Sequence, residues 1–574
     1  MPTPPVSRPT LHGADTVIDV LHRQARERPA QPFCHAWQDG RIVTVTLGEL
    51  WHRTRAAAAG LAQAGVAAGD VVLIAHRHDR DLYPAFLAPQ LLGAIPSFMP
   101  FPSEKQDAER YWRAHVTLFD RLRPAAVIAS VPWLAQFETA LGALPTARIP
   151  LAGLCDGPPI ASWTAPAPDT VALLQHSSGT TGEKKGVMLT HRAICTQVAS
   201  YAPTLALGND AVIASWLPLY HDMGLIACFM LPLLTGTPLV ALDPFAWSAR
   251  PVLLLDAIVH HRATHAWLPN FAFHHLVRAV DPGWAGDLSS MRAWIDCSEP
   301  CTPETFERFL ARHAASGVAP GTLQCCYAMA ETVFAVTQTP VGTPPCERRV
   351  AREPLQARRV AREAMPGEPA VRIASVGTPI DALTIAIRDE DGHPLPDGHV
   401  GEVTVQGRCL FDGYFRDPEP DRAAWWGGWY RTGDLGFVHD GALFITGRRK
   451  EVLIVNGRNF FAHDIEAAVN TVAGVKPGRA VAFGVPNAEV GSEQVIVIVE
   501  VLPGTPDLTA LPGAVRAAVA DALGLTVHRV VPVAPGWLLK TTSGKISRAL
   551  NQAKWLEEGA GAGPTASSPA PAAA

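Results

Sequence analysis

Short apolar runs alternate with stretches of helical periodicity through most of this chain, and that rhythm limits the folds open to it. Thr46 to Ala64 carries apolar residues at helical spacing, with Thr46 placed to cap the helix and Glu49 in its first turn. Val71 to Ala75 follows as a buried strand, after a turn at Gly65 to Asp70. Leu87 to Ile95 reads as a further helix, with Pro89 tolerable only in its first turn. Ala125 to Ile128 and Val171 to Leu174 are further apolar strands. Repeated β–α alternation predicts a mostly parallel sheet covered by helices on both faces. At 574 residues the chain exceeds one ordinary core, so two or more domains are expected.

Composition excludes several classes. Hydrophobic residues make up 48% and charged ones 18%, the balance of a globular protein. A net charge of -5 offers no broad basic field, so a nucleic-acid partner is not expected. The apolar segment Leu225 to Val240 is broken by Pro232, Gly236 and Pro238, so no membrane span is expected. Met1 to Thr10 lacks a charged head and an apolar run, unlike a secretory signal. The ten cysteines contain no C-x-x-C pair, and Cys325 and Cys326 are adjacent, which predicts reduced thiols in a cytoplasmic protein.

The later part has its own organisation. Between Pro340 and Ile373 the rhythm breaks into an Arg-, Pro- and Glu-rich stretch in which Arg348–Glu353 recurs at Arg358–Glu363. Two readings stand: a duplication in a solvated surface helix or loop, or an inserted element controlling domain motion. Leu383 to Arg388 and Val400 to Gln406 alternate as strands, with turns at Asp391–Gly392 and Asp397–Gly398. A compact β/α segment follows Gly447 to Lys450 and ends near Trp555, and a Gly, Ala, Pro, Ser and Thr tail is expected to be disordered.

The run Ser177-Ser178-Gly179-Thr180-Thr181-Gly182-Glu183-Lys184-Lys185-Gly186 is the most informative. Glycines permit close backbone approach, amides and hydroxyls can surround phosphate oxygens, and a lysine adds positive charge. The spacing is not that of a P-loop NTPase. The run resembles the phosphate-binding signature of adenylate-forming enzymes: acyl-CoA synthetases, nonribosomal adenylation domains, luciferases and fatty acyl-AMP ligases. It departs from that signature at Lys184, where proline is usual, and keeps the expected Lys185.

Other segments resemble the same superfamily in the same order. Tyr327-Ala328-Met329-Ala330-Glu331-Thr332 resembles its Tyr-Gly-x-(Thr/Ala)-Glu segment, which implies that Tyr327 stacks on adenine and Glu331 binds Mg²⁺. Ala328 replaces the usual glycine and puts a methyl group near the acyl pocket. Trp429 to Gly436 resembles the ribose-binding stretch, with Asp434 on the hydroxyls. Gly447-Arg448-Arg449-Lys450 resembles the inter-domain hinge, with Arg448 on ribose or phosphate and Lys450 as the hinge residue. Leu539 to Ile546 resembles the loop that carries the catalytic lysine, here Lys545. The resemblance spans nearly the whole chain and implies that Ser177, Ser178, Gly179, Thr180, Thr181, Gly182, Ser298, Glu299, Pro300, Ala328 and Thr332 join the nucleotide site. Thr181 would assist Glu331 on the metal.

The implied fold is α/β. A large N-terminal domain (1–449) has stacked, mostly parallel sheets with helices and a small barrel-like part. A small mobile α+β C-terminal domain (450–557) precedes the tail (558–574), and 340–373 is the insertion. The implied reaction joins a carboxylic acid to AMP from ATP and then passes the acyl group to a thiol. A carboxylate needs no general base at neutral pH; the obstacle is repulsion between anions, which Lys545 and Lys185 would relieve.

Ser215 to Leu225 looks like the fatty acyl-AMP ligase branch in particular, as does Pro269-Asn270-Phe271-Ala272-Phe273. Together with the insertion, this implies a carrier-protein phosphopantetheine thiol as acceptor, with free coenzyme A the alternative. His221 is expected to act in the site as a pocket-wall or gating residue; no histidine spacing matches a closed zinc site. Met223, Gly224, Trp267, Asn270, Phe271, Ala328 and Met329 complete the implied pocket. Trp267 stands where long-chain enzymes have small residues, and Asp296-Cys297-Ser298 where they read Asn-Gly-Ala. If Trp267 lines the tunnel, the acid is short, branched or aromatic. A non-catalytic relative, favoured by Lys184, Ala328 and Cys297, and a simple ATPase are the rival readings.

Overall fold

The computed structural model describes residues 11, 13–101, 108–142, 145–177, 185–455, 458–487, 492–505, 507–541 and 545–558. Thr46 Oγ1 accepts the Glu49 N–H at 3.2 Å and starts the helix Leu47–Gln63. The strand Val71–Ala75 follows as expected. The next helix runs Leu82–Leu91 and not Leu87 to Ile95; Ile95 opens a strand, and Pro89 lies in the last helical turn. Every residue of that helix is buried, so packing outweighs the hydrogen bond that Pro89 cannot donate.

Among the described residues a nine-stranded sheet forms the centre. Its strands from Leu323–Ala328 through Ala293–Cys297, His265–Leu268, Ile213–Ser215 and Leu239–Ala241 to Pro32–Gln38 run parallel. Antiparallel strands close both edges. A four-stranded sheet built on Val71–Ala75 is parallel throughout, with its own apolar cluster. Between Leu383 and Arg448 the chain forms an antiparallel sheet, the half-barrel. The apolar stretch predicted to stay out of membranes is a buried helix, Met223–Met230 continuing into Leu231–Thr235, and ends at Gly236 with φ +65°. Among the described residues no helix is long and apolar enough to cross a membrane. All ten cysteines are free thiols.

The Arg-rich stretch is an ordered element. Glu347–Ala351 and Ala370–Ala374 pair as a hairpin, with the helix Arg352–Arg358 between them. The two sequence copies fold differently: the first supplies a strand and a helix start, whereas the second bridges Val360 to His399 and Glu363 to Val350. Arg348 of one copy pairs with Glu363 of the other at 2.8 Å. Val350, Leu355 and Ala361 share an apolar cluster with Phe437 and Phe444 of the half-barrel and with Phe461 of the C-terminal region. Gln356 accepts Arg458 through its side chain and Asn459 through its carbonyl. The Arg-rich element therefore joins the half-barrel to the C-terminal region.

That region is α+β. The strands Val475–Asn487, Ser492–Val501 and Arg529–Val533 form one sheet, packed by the helices Ala462–Val469, Leu511–Leu523 and Arg548–Glu557 over separate apolar clusters.

Candidate active site

The glycine-rich run lies at a hairpin connection: Val171–Ser177 pairs antiparallel with Lys185–Thr190, and Ser177 stands opposite Lys185. Ser178, Gly179, Thr180, Thr181, Gly182 and Lys184 lie outside the described residues. Lys185 places its ammonium over the Tyr414 ring, 4.5 Å from the centroid. Tyr414 in turn donates its hydroxyl to Glu331 Oε1 at 3.0 Å. A chain of charge and phenol thus connects the end of the loop to the expected metal carboxylate.

Glu331 follows the strand Leu323–Ala328 in a tight turn. Thr332 is fully buried beneath it, and its hydroxyl braces the Met329 and Phe334 carbonyls at 3.1 and 2.8 Å. Val333 holds φ +66°, a strained position for a β-branched residue. Burial pushes the Glu331 carboxyl up; hydrogen bonds, that of Tyr414 included, and the Arg448 charge pull it down, and Asp222 raises it. Ala328 and Met329 flank the same turn, half-buried.

Tyr327 donates its hydroxyl to Asp434 Oδ2 at 2.6 Å. Arg448 Nε approaches Asp434 Oδ1 at 3.2 Å. Asp434 is 7% exposed, and burial raises its carboxyl while Arg448 and Tyr327 lower it. The aromatic, carboxylate and guanidinium groups expected around a nucleoside are therefore in mutual contact across three strands. Glu402, 5% exposed, supports this corner by accepting Arg431 at 2.9 Å and the Gly433 N–H at 3.2 Å.

The segment after the strand Ala293–Cys297 brings in the C-terminal region. Ser298 holds φ +71°, and its carbonyl accepts the Lys545 ammonium. Glu299 Oε2 accepts the Phe271 N–H at 2.9 Å, which seats the start of the Asn270–Ala279 helix beside it. Pro300 is exposed. Asp296 is fully buried, and burial among Cys301, Glu299 and Cys297 holds its carboxyl well above the ordinary range.

Asp222, directly after His221, accepts the Met223 N–H at 2.8 Å as the helix begins. It is charge-coupled to Lys545 and Glu331. Gly224 has no room for a side chain: a Cβ would lie 2.2 Å from the Pro218 carbonyl oxygen. Trp267 is fully buried and donates its indole N–H to Tyr201 at 3.1 Å. Phe271 is 43% exposed and stands edge-on to Trp216 and Trp247, which stack 3.6 Å apart. Lys450, the expected hinge residue, is exposed in the single helical turn Arg449–Glu451.

Sequence reasoning missed Asp222, Glu402 and Tyr414. Asp222 lay inside a run that was read at His221, Met223 and Gly224 on either side of it. Tyr414 and Glu402 gave no local signal, because each acts through a partner distant in sequence.

The model of the family described as AMP-binding enzyme matches residues 21–415. The chain belongs to that family. Among its relatives, the long-chain fatty acid–AMP ligase FadD32 of Mycolicibacterium smegmatis is 30% identical, over 92% of this chain and 91% of its own. The medium-chain fatty acid–[acyl-carrier-protein] ligase JamA of Moorena producens is 32% identical over 68% of each. A structure from studies of the fatty acyl-adenylate ligases of E. coli and L. pneumophila superposes with a TM-score of 0.89 at 25% identity, covering 97% of this chain and 100% of that one. This AMP-binding enzyme is an AMP-forming acyl-AMP ligase of the fatty acyl-AMP ligase type, with ATP and a carboxylic acid as substrates.

Proposed function

We propose that the enzyme makes an acyl-adenylate at the site where Lys545 meets Ser298 and then transfers the acyl group to a carrier-protein phosphopantetheine thiol. The observation that carries this reading is the Lys545 contact, which brings the ammonium to the segment holding Glu299. A carboxylate oxygen attacks the α-phosphorus, the bond to pyrophosphate breaks, and Lys545 screens the two anions from each other. Lys185 and the 178–184 run receive the pyrophosphate, while Tyr327, Asp434 and Arg448 hold adenosine.

Glu331 suits a hard divalent cation, since its carboxylate is half-buried and Asp222 adds negative charge nearby. Mg²⁺ held there, with Thr181 assisting, would supply further positive charge against the pyrophosphate. In the second step the thiol sulfur attacks the acyl carbon, loses its proton, and AMP leaves.

Two observations support the acceptor. JamA, a relative, is named as a ligase acting on acyl carrier protein. The insertion ties the half-barrel to the C-terminal region through Leu355 and Gln356, an arrangement that limits reorientation toward a small diffusible thiol. The acid we propose is short, branched or aromatic, because the stacked rings of Trp216 and Trp247 stand against Phe271.

A panel of acids with mass detection of the acyl-adenylate tests the first half, followed by holo carrier protein and free coenzyme A as acceptors. Efficient turnover of tetradecanoate with none of octanoate or benzoate refutes the acid class. Faster transfer to coenzyme A refutes the acceptor.

A further inference from the structure

Lys545 stands on the returning arm of a hairpin, so its ammonium is placed only as well as the hairpin's neck is held. The neck is described on both sides. Thr541 N–H donates to the Lys545 carbonyl at 2.7 Å, Lys540 bridges Ile546, and Ser547 N–H donates to the Leu539 carbonyl at 3.0 Å. One side chain grips both arms at once. Asn551, on the helix Arg548–Glu557, is completely buried. Its Oδ1 accepts the Leu539 N–H at 2.8 Å, and its Nδ2 donates to the Leu539 carbonyl at 2.9 Å and the Ser547 carbonyl at 2.7 Å.

This pattern fixes the orientation of the amide, because the Leu539 N–H must meet an oxygen. It also explains the residue type. A carboxamide donates and accepts in one plane; an aspartate would keep only the accepting half, and an apolar residue would take the acceptor from the Leu539 N–H. A second buried group fixes the approach to the neck. Glu500 Oε1 accepts the Gly536 and Leu538 N–H groups at 2.9 and 3.0 Å, while Arg479 and Lys476 approach its other oxygen at 3.8 and 4.0 Å.

We infer that Asn551 is a positioning residue for adenylation: it sets the register of the hairpin so that the Lys545 ammonium reaches the Ser298 carbonyl and the reacting anions. The inference rests on the reading of Lys545 as the catalytic lysine. Asn551 touches no substrate. Its effect passes through one residue, and that makes it separable from a general structural role.

The experiment is a double-mutant cycle on acid-dependent pyrophosphate release by the full chain, with folding followed by circular dichroism. Asn551→Ala is expected to lower kcat on the order of 10- to 100-fold with the KM for ATP within about twofold, since misplacement of a transition-state charge is a kcat effect. Asn551→Asp should fall between the two and, if the alanine variant does not fold, decides the question by the same criteria. In the Lys545→Ala background the Asn551 substitution should have no further effect on the residual rate.

An equal factor in both backgrounds, a change confined to KM, or an undiminished kcat in a folded Asn551 variant overturns the inference while leaving Lys545 untouched. Near-normal release by folded Lys545→Ala overturns the reading of Lys545, and the inference with it.

Discussion

The two ends of the site are held in opposite ways. In the large N-terminal region the groups proposed to hold the nucleotide are tied to one another: Tyr327 to Asp434, Asp434 to Arg448, and Tyr414 to Glu331. The C-terminal region contributes Lys545, whose described contact with the large region is the Ser298 carbonyl. Several linked contacts resist separation more than one does, and a single hydrogen bond from a charged group contributes about 1.5–3 kcal/mol. The lesson is one of division: in the proposed cycle the adenosine site persists, while Lys545 is the part that would be withdrawn.

The sharpest break of this division falls at the hinge. Lys450→Pro should leave acyl-adenylate formation within a few-fold of the parent and lower thioester formation on the order of a thousandfold, because a fixed φ blocks the reorientation that admits the thiol. Separate assays of the two half-reactions check this.

The rigidity of the large region has a pH signature. His191 is buried and accepts the Val17 N–H at 3.3 Å through Nδ1, and burial lowers its pKa to about 4. The unfolded chain binds that proton near the ordinary value of about 6.5, so stability present above that pH is lost as pH falls toward 4. His191→Asn should flatten the stability curve over that window by up to about 3 kcal/mol, measured by denaturant titration at several pH values.

The insertion comes next in size. Leu355→Ala should weaken the junction with Phe461 by about 2 kcal/mol, seen as faster proteolysis at the hinge with the unfolding of the large region unchanged. Smallest is Asp434→Asn, which keeps the Tyr327 contact but gives up the charge facing Arg448. It should raise the KM for ATP about tenfold, near 1.4 kcal/mol.

Much of this architecture was legible in the residues. Thr46 capped its helix and Val71–Ala75 formed its strand as read, because each signal was local. The Leu82–Leu91 helix was placed too late, since a segment buried on every side has no periodicity and Pro89 hid its true start. The repeated Arg348–Glu353 motif could not reveal that its two copies fold differently; their neighbours in space decide that. At the candidate site, Tyr327, Asp434 and Arg448 were picked out by motif, and Tyr327 and Arg448 both contact Asp434. Asp222, Tyr414 and Asn551 were not found, because each serves a partner that only the fold brings near.

The most direct test is to measure the two half-reactions of Lys545→Ala apart. The account predicts that acyl-adenylate formation falls by on the order of 100- to 1000-fold, while transfer from supplied acyl-adenylate to a holo carrier protein continues near the parent rate. Equal losses in both half-reactions, or near-normal adenylation by the folded variant, would contradict it.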